Sequence, residues 1–113
     1  MNEDQTFASA VLHEIEDMHR FFTRWFGGTM PRTEANFDRF RMALDGNFAQ
    51  VNPQGLLRPH AQILKDVWDH WNWFPGDPNF RIWVDQAQVH HVLPGAHAVA
   101  VYQEWHKIGR AHV

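Results

Sequence analysis

The chain has 113 residues, 44% of them hydrophobic, with six tryptophans, no cysteine and a formal net charge of −3. That length suits one domain able to bury roughly two-thirds of its unfolded surface, and that apolar content excludes a disordered chain. Interspersed acids and bases give no basic face for nucleic acid, and the missing cysteine excludes disulfides, thiol nucleophiles and thiolate metal sites.

The start, MNEDQTFASA, is acidic and lacks the basic opening and apolar run of a signal peptide. No apolar run approaches the ~20 residues of a membrane span, so cytoplasmic residence without membrane contact is expected. Asn2 and Gln5 fit a capping box for a first helix, with Glu3 and Asp4 placed for its dipole. Phe7, Val11, Ile15, Met18, Phe22 and Trp25 then recur at helical spacing; Leu12, Phe21 and Phe26 widen that face, and Gly27-Gly28 ends it.

Thr33 caps a second, shorter helix with an inner face of Phe37, Phe40 and Leu44, stopped by Gly46. Phe48 to Val51 reads as a short strand, Asn52-Pro53-Gln54-Gly55 as a type I turn, and Leu56-Leu57 as a brief return. Pro59 suits the first turn of a third helix with a buried stripe of Ala61, Leu64, Val67 or Trp68, and Trp71. Pro75, Gly76 and Pro78 end it. Phe80 to Lys107 is rich in Val, Ile, Trp, Phe and Tyr and is broken once, at Leu93-Pro94-Gly95-Ala96, which predicts a long antiparallel hairpin. Helix, helix, short hairpin, helix, long hairpin is an α+β order, with three N-terminal helices packed on one face of an antiparallel sheet.

Three features of this text carry a resemblance. Phe21 to Leu57 holds a long first helix ending in an aromatic-Gly pair, then a short helix leading to F-x-x-V-x-P-x-G; a further helix precedes long strands. In these the chain resembles the nuclear-transport-factor-two-like superfamily, the SnoaL-like or cystatin-like α+β cones. Val101-Tyr102-Gln103-Glu104-Trp105 is similar to the fourth strand of its small uncharacterised members. The resemblance spans roughly Phe7 to His106 and implies a curved, cone-shaped sheet.

That family's sheet has further strands where this chain stops. The last six residues, Ile108-Gly109-Arg110-Ala111-His112-Val113, resemble one reading frame of a common short-read sequencing adapter. The expectation is a single cone domain over 1–107, a non-native tail over 108–113, and a truncated, metagenomic-type sequence whose last strands are missing. The alternative is a genuine polar tail, since Gly-Arg-Ala-His-Val carries no strand or helix pattern. Missing strands would leave a sheet edge with unpaired N–H and C=O groups.

The resemblance also implies a pocket between helices and sheet, used by relatives for isomerase, dehydratase or cyclase chemistry or left catalytically empty. Its lining is expected from Phe22, Trp25, Phe48, Asn52, Trp68, Trp71 and Tyr102. Ketosteroid-isomerase-like relatives carry a carboxylate base in an E-D-P-x-G turn. Here Val51-Asn52-Pro53-Gln54-Gly55 puts an amide there, which has no useful basicity, and Asn52 reads first as a turn former. Their first-helix tyrosine is missing too, since Tyr102 is the chain's single tyrosine.

A second candidate lies on the hairpin. With Pro94 and Gly95 as a two-residue loop, Leu93 pairs with Ala96 and Asp85 comes opposite Glu104. Trp83, Asp85, Ala87, Val89 and His91 then share a face with Ala98, Ala100, Tyr102, Glu104 and His106. Asp85, Glu104 and His91 would form a general acid/base site if that face is dry, or solvated surface pairs beside Arg81 and His106 if it is wet. The opposite set of Phe80, Ile82, Val84, Val99, Val101 and Trp105 is at least as apolar, and a one-residue slip would separate Asp85 from Glu104.

Nine histidines invite a metal reading, but their spacing does not support it. Adjacent His90 and His91 point to opposite strand faces, His13 and His19 are six apart on a helix, and His90 with His97 lacks a third ligand. Trp68, Trp71, Trp73 and Phe74 read chiefly as core. The expected function is small-molecule binding in an apolar pocket, by a homodimer formed through its sheet, with no cofactor, metal or nucleic acid. The alternatives are a lyase- or isomerase-type enzyme and an association module.

Overall fold

The structure, a computed structural model, describes residues 3–75, 77, 79–94, 96–108 and 111–112. In chain order the elements are α1 (Glu3–Gly27), α2 (Glu34–Arg41), β1 (Ala49–Val51), β2 (Leu57–Pro59), α3 (His60–Asp69), β3 (Arg81–Leu93), β4 (His97–Ile108) and β5 (Ala111–His112). The fold is α+β, with antiparallel sheets ordered β1-β2 and β3-β4-β5. Two compact units divide the chain: Met1–Thr23 with Asp77–Val113, and Arg24–Gly76. The expected Asn2 cap, and Gly76, Pro78 and Gly95 of the predicted turns, lie outside the described residues.

The unit Arg24–Gly76 begins with the last turn of α1. Gly28 sits at φ +76°, its amide bonds Trp25 O and the Thr29 amide reaches Arg24 O, the paired bonds of a Schellman stop. Trp25 is fully sealed, its ring 5.2 Å from Phe37 and 5.6 Å from Trp68, its indole N–H donated to Val67 O. Phe37 and Phe40 are buried as predicted, and Thr33 Oγ1 accepts from the Asn36 amide at the start of α2. The helix stops at Arg41, leaving Leu44 half-buried beyond it. Asn52 Oδ1 accepts the amides of Gln54 and Leu56, so it builds the turn between β1 and β2.

Pro59 closes β2 and precedes α3 instead of lying in its first turn. Ile63 is the buried residue of α3, whereas Ala61 is exposed. Leu64, Val67, Trp68 and Trp71 of the predicted stripe are half-buried, Trp68 against Trp25 and Phe37, while Asp66 is held by Arg58 of β2 and by Gln62.

The other unit pairs α1 as far as Thr23 with the long hairpin, and buries His19, Phe21, Phe80 and Ile82. Phe21, not Phe22, takes the deepest place on the stretch of α1 that belongs to this unit, and Phe22 is half-buried. The Thr23 hydroxyl donates to Ile82 O at 3.0 Å and accepts the Ile82 amide at 3.1 Å. One side chain thereby satisfies both backbone groups that Ile82 turns away from β4.

The hairpin departs from the predicted register at two points. Around Val89↔Ala100 the pairing agrees with the two-residue-loop register, but the turn closes with Leu93↔His97, and near the open end Asp85 pairs with Gln103 and Val84 with Glu104. Each shift places one extra residue on β3, and Gln86 (φ 52°) and His91 (φ 49°) take the left-handed conformation there. Asp85 therefore does not face Glu104; its carboxylate accepts the Gln86 amide at 2.8 Å. His91 sits in the second bulge, beside Ala98, six residues and ~20 Å along the ribbon from Glu104. Ala111–His112, read from sequence as patternless, pairs with Lys107 and Ile108.

Candidate functional site

Because the first bulge shifts β3 by one residue, neither predicted face survives whole. Ile82 and Val84 join Tyr102, Glu104 and His106 on the face toward α1, while Trp83 and Asp85 join Val101, Gln103 and Trp105 on the other. On the first face stands the one buried polar side chain of the described residues, His19 at 4% exposure.

His19 Nδ1 lies 2.8 Å from Ile15 O, and Nε2 lies 2.7 Å from Glu104 Oε2. Glu104 Oε1 lies 2.7 Å from His106 Nε2. The chemistry of these partners assigns the protons. A carbonyl only accepts, so Nδ1 of His19 carries a hydrogen; an ionised carboxylate only accepts, so Nε2 carries one as well. His19 is then an imidazolium.

The electrostatics agree. Burial pushes the His19 ring toward its neutral form, but the Glu104 hydrogen bond, the Ile15 carbonyl and the Glu104 charge outweigh it and raise its pKa. The His19 hydrogen bond lowers the Glu104 pKa against partial burial, with help from His106. Burial, then the Glu104 charge, raises Tyr102 and keeps its phenol protonated.

The surroundings are aromatic and apolar. The His19 ring meets Phe22 edge-on at 5.4 Å and Tyr102 at 5.5 Å, and Val84 is the cross-strand neighbour of Glu104. Glu104 keeps 39% of its side chain exposed and His106 keeps 40%. The arrangement is an ionised carboxylate held through one oxygen by a buried cation and through the other by the accessible imidazole of His106.

Of the predicted catalytic residues, only Glu104 belongs to this cluster. His19 and His106 complete it; neither is among the predicted catalytic residues, although the sequence already sets His106 beside the acids as a surface-pair partner. The signal for His19 was present: it falls four residues after Ile15 and three before Phe22, a titratable group on an apolar helix face. Of the expected pocket residues, Phe22 and Tyr102 meet His19, while Trp25, Phe48, Asn52, Trp68 and Trp71 belong to the other unit. There Trp71 donates to Met30 O and Phe48 is exposed. Among the described residues no group of three or more His, Cys, Asp or Glu is arranged to hold a metal ion. No helix among them is long and apolar enough to cross a membrane.

Element order and bulged hairpin together define an α+β fold of the NTF-2-like type. The chain is similar to a solved NTF-2-like protein of unknown function from Pseudomonas aeruginosa, with a TM-score of 0.70 and 16% identity over 92% of this chain and 75% of that one. At that identity the likeness establishes the fold alone. No family model matches the chain, and no curated protein matches it.

Proposed function

We propose that this protein binds a small organic molecule on the α1-facing side of the hairpin, with Glu104 as the polar anchor and Tyr102, Phe22 and Val84 as the apolar surround. The observation that carries this reading is the His19–Glu104 pair. A buried imidazolium fixes one oxygen of a carboxylate that is still 39% exposed, and the other oxygen, bound by His106, keeps a further lone pair for a ligand donor. A ligand offering a hydroxyl, amide or ammonium donor fits that group.

A screen of small polar-apolar compounds by amide NMR tests the reading. Binding should shift the Tyr102, Glu104 and His106 amides and be lost in Glu104→Leu. Binders that shift only other residues, or a broad screen without binders, would refute it.

Two observations favour companion readings. The accessible imidazole of His106 on the same carboxylate suits general acid/base chemistry of lyase or isomerase type. On the opposite face Val99, Val101 and Trp105 are exposed, Val101 at 58%, which suits a homodimer formed through the sheet. Cytoplasmic residence belongs to the same proposal.

A further inference from the structure

The hairpin face turned away from α1 carries two cations at its open end. Arg81 and Lys107 are cross-strand partners, and two residues further in Trp83 stands opposite Trp105. Strand alternation puts all four side chains on that face. We propose that Arg81, Lys107, Trp83 and Trp105 form a second binding site, for a small aromatic carboxylate. It does not depend on binding at the α1-facing side.

The charges carry the argument. Like charges set directly opposite each other on a strand pair repel and weaken the pairing. Among the described residues neither Arg81 nor Lys107 forms an ion pair, whereas Arg20, Arg41, Arg58 and Lys65 each do. Asp85, the acid of β3 on that face, lies four residues and ~13 Å along the strand and accepts the Gln86 amide instead. One bound anion between the two cations relieves their repulsion.

The geometry of Arg81 selects the anion. Its guanidinium lies 4.0 Å from the centre of the Trp83 ring. Stacking of this kind uses the flat face of the guanidinium and leaves its in-plane N–H donors free of the ring. That fork matches the two oxygens of a carboxylate, with the Lys107 ammonium as a point charge beside it. Trp105, 39% exposed, offers its indole to the aromatic part of the ligand. A monoanion fits better than a phosphate dianion, because Asp85 shares the face and the chain carries a net charge of −3. A second copy seated on Val101 and Trp105 would cover the same indole, so the two occupants exclude each other there.

The probe that tests the site is 2-naphthoate, with 2-naphthamide as its uncharged counterpart. In nitrogen-edited proton NMR of the intact chain, 2-naphthoate should move the indole N–H signals of Trp83 and Trp105, with a dissociation constant of about 1 mM. The amide should bind about tenfold more weakly, since it lacks the charge that strengthens those hydrogen bonds. Arg81→Gln and Lys107→Gln should each weaken 2-naphthoate about five- to tenfold, and Arg81→Lys should fall short of the parent because an ammonium has no fork.

Equal affinity for acid and amide, or an undiminished affinity in Lys107→Gln, would overturn the site. Should Arg81→Gln fail to fold, Lys107→Gln decides. If the probe moves the Phe22 and Tyr102 ring signals and leaves both indoles still, it sits on the α1-facing side, and this site is lost while that reading stands. Displacement of the probe as the protein is concentrated tenfold would assign the patch to a second copy and end the proposal.

Discussion

His19 and Glu104, 85 residues apart in the chain, meet at 2.7 Å and tie α1 to β4 through a buried cation. The His19 pKa is raised, so its contribution to stability is whole below the unfolded value near 6.5 and is lost as pH climbs through the folded value. The Glu104 pKa is lowered, so its contribution holds above the unfolded value near 4.3 and is lost as pH falls through the folded one. The pair therefore stabilises most between about pH 4.3 and 6.5. Because Glu104 is more than a third exposed, the effect is discounted to about 1–2 kcal/mol. Urea unfolding from pH 4 to 9 checks it: the difference between the unmutated chain and Glu104→Gln should peak in that window and shrink above it.

Thr23 should be sensitive to the loss of its hydroxyl. In Thr23→Val, Ile82 loses the partner of both its amide and its carbonyl, at a cost of about 1–3 kcal/mol, whereas Thr23→Ser keeps both bonds. Hydrogen exchange at the Ile82 amide is the direct readout; equal protection in the valine variant and the parent would contradict the assignment.

Gly28 is under two separable constraints. Its φ of +76° disfavours any side chain, and a Cβ there would run into the Asn72 side chain. Gly28→Ala should destabilise by about 2–4 kcal/mol from both causes together. Adding Asn72→Gly removes the collision, and Asn72 itself stands at φ 57°, where glycine fits. The double variant should recover the steric part only, as denaturant midpoints would reveal.

The sheet's outer face gives a test of association. If the exposed Val101 and Trp105 meet a second copy, Val101→Lys should leave a monomer across the concentration range of sedimentation velocity without lowering the thermal midpoint of the isolated chain. A parent protein that is already monomeric at high concentration would remove the homodimer reading.

The predictions follow a division visible in the residues. Local signals settled the elements: apolar spacing drew α1 to Gly27, Thr33 opened α2, Asn52 shaped the turn before β2, and β-rich text drew the hairpin. Each of these depends on neighbours a few residues away, which a one-dimensional pattern contains. The assembly of the cluster does not.

One left-handed residue on β3, Gln86, moved Asp85 out of line with Glu104, and no local preference of Gln86 announces such a bulge. Glu104 is legible as a carboxylate on a strand, yet its partner is a helix histidine that only packing brings within 2.7 Å. Sequence by itself determined which segments coil and which extend, because those preferences are short-ranged. Tertiary structure alone decided which charges meet, because a single extra residue in one strand exchanges the faces of everything before it.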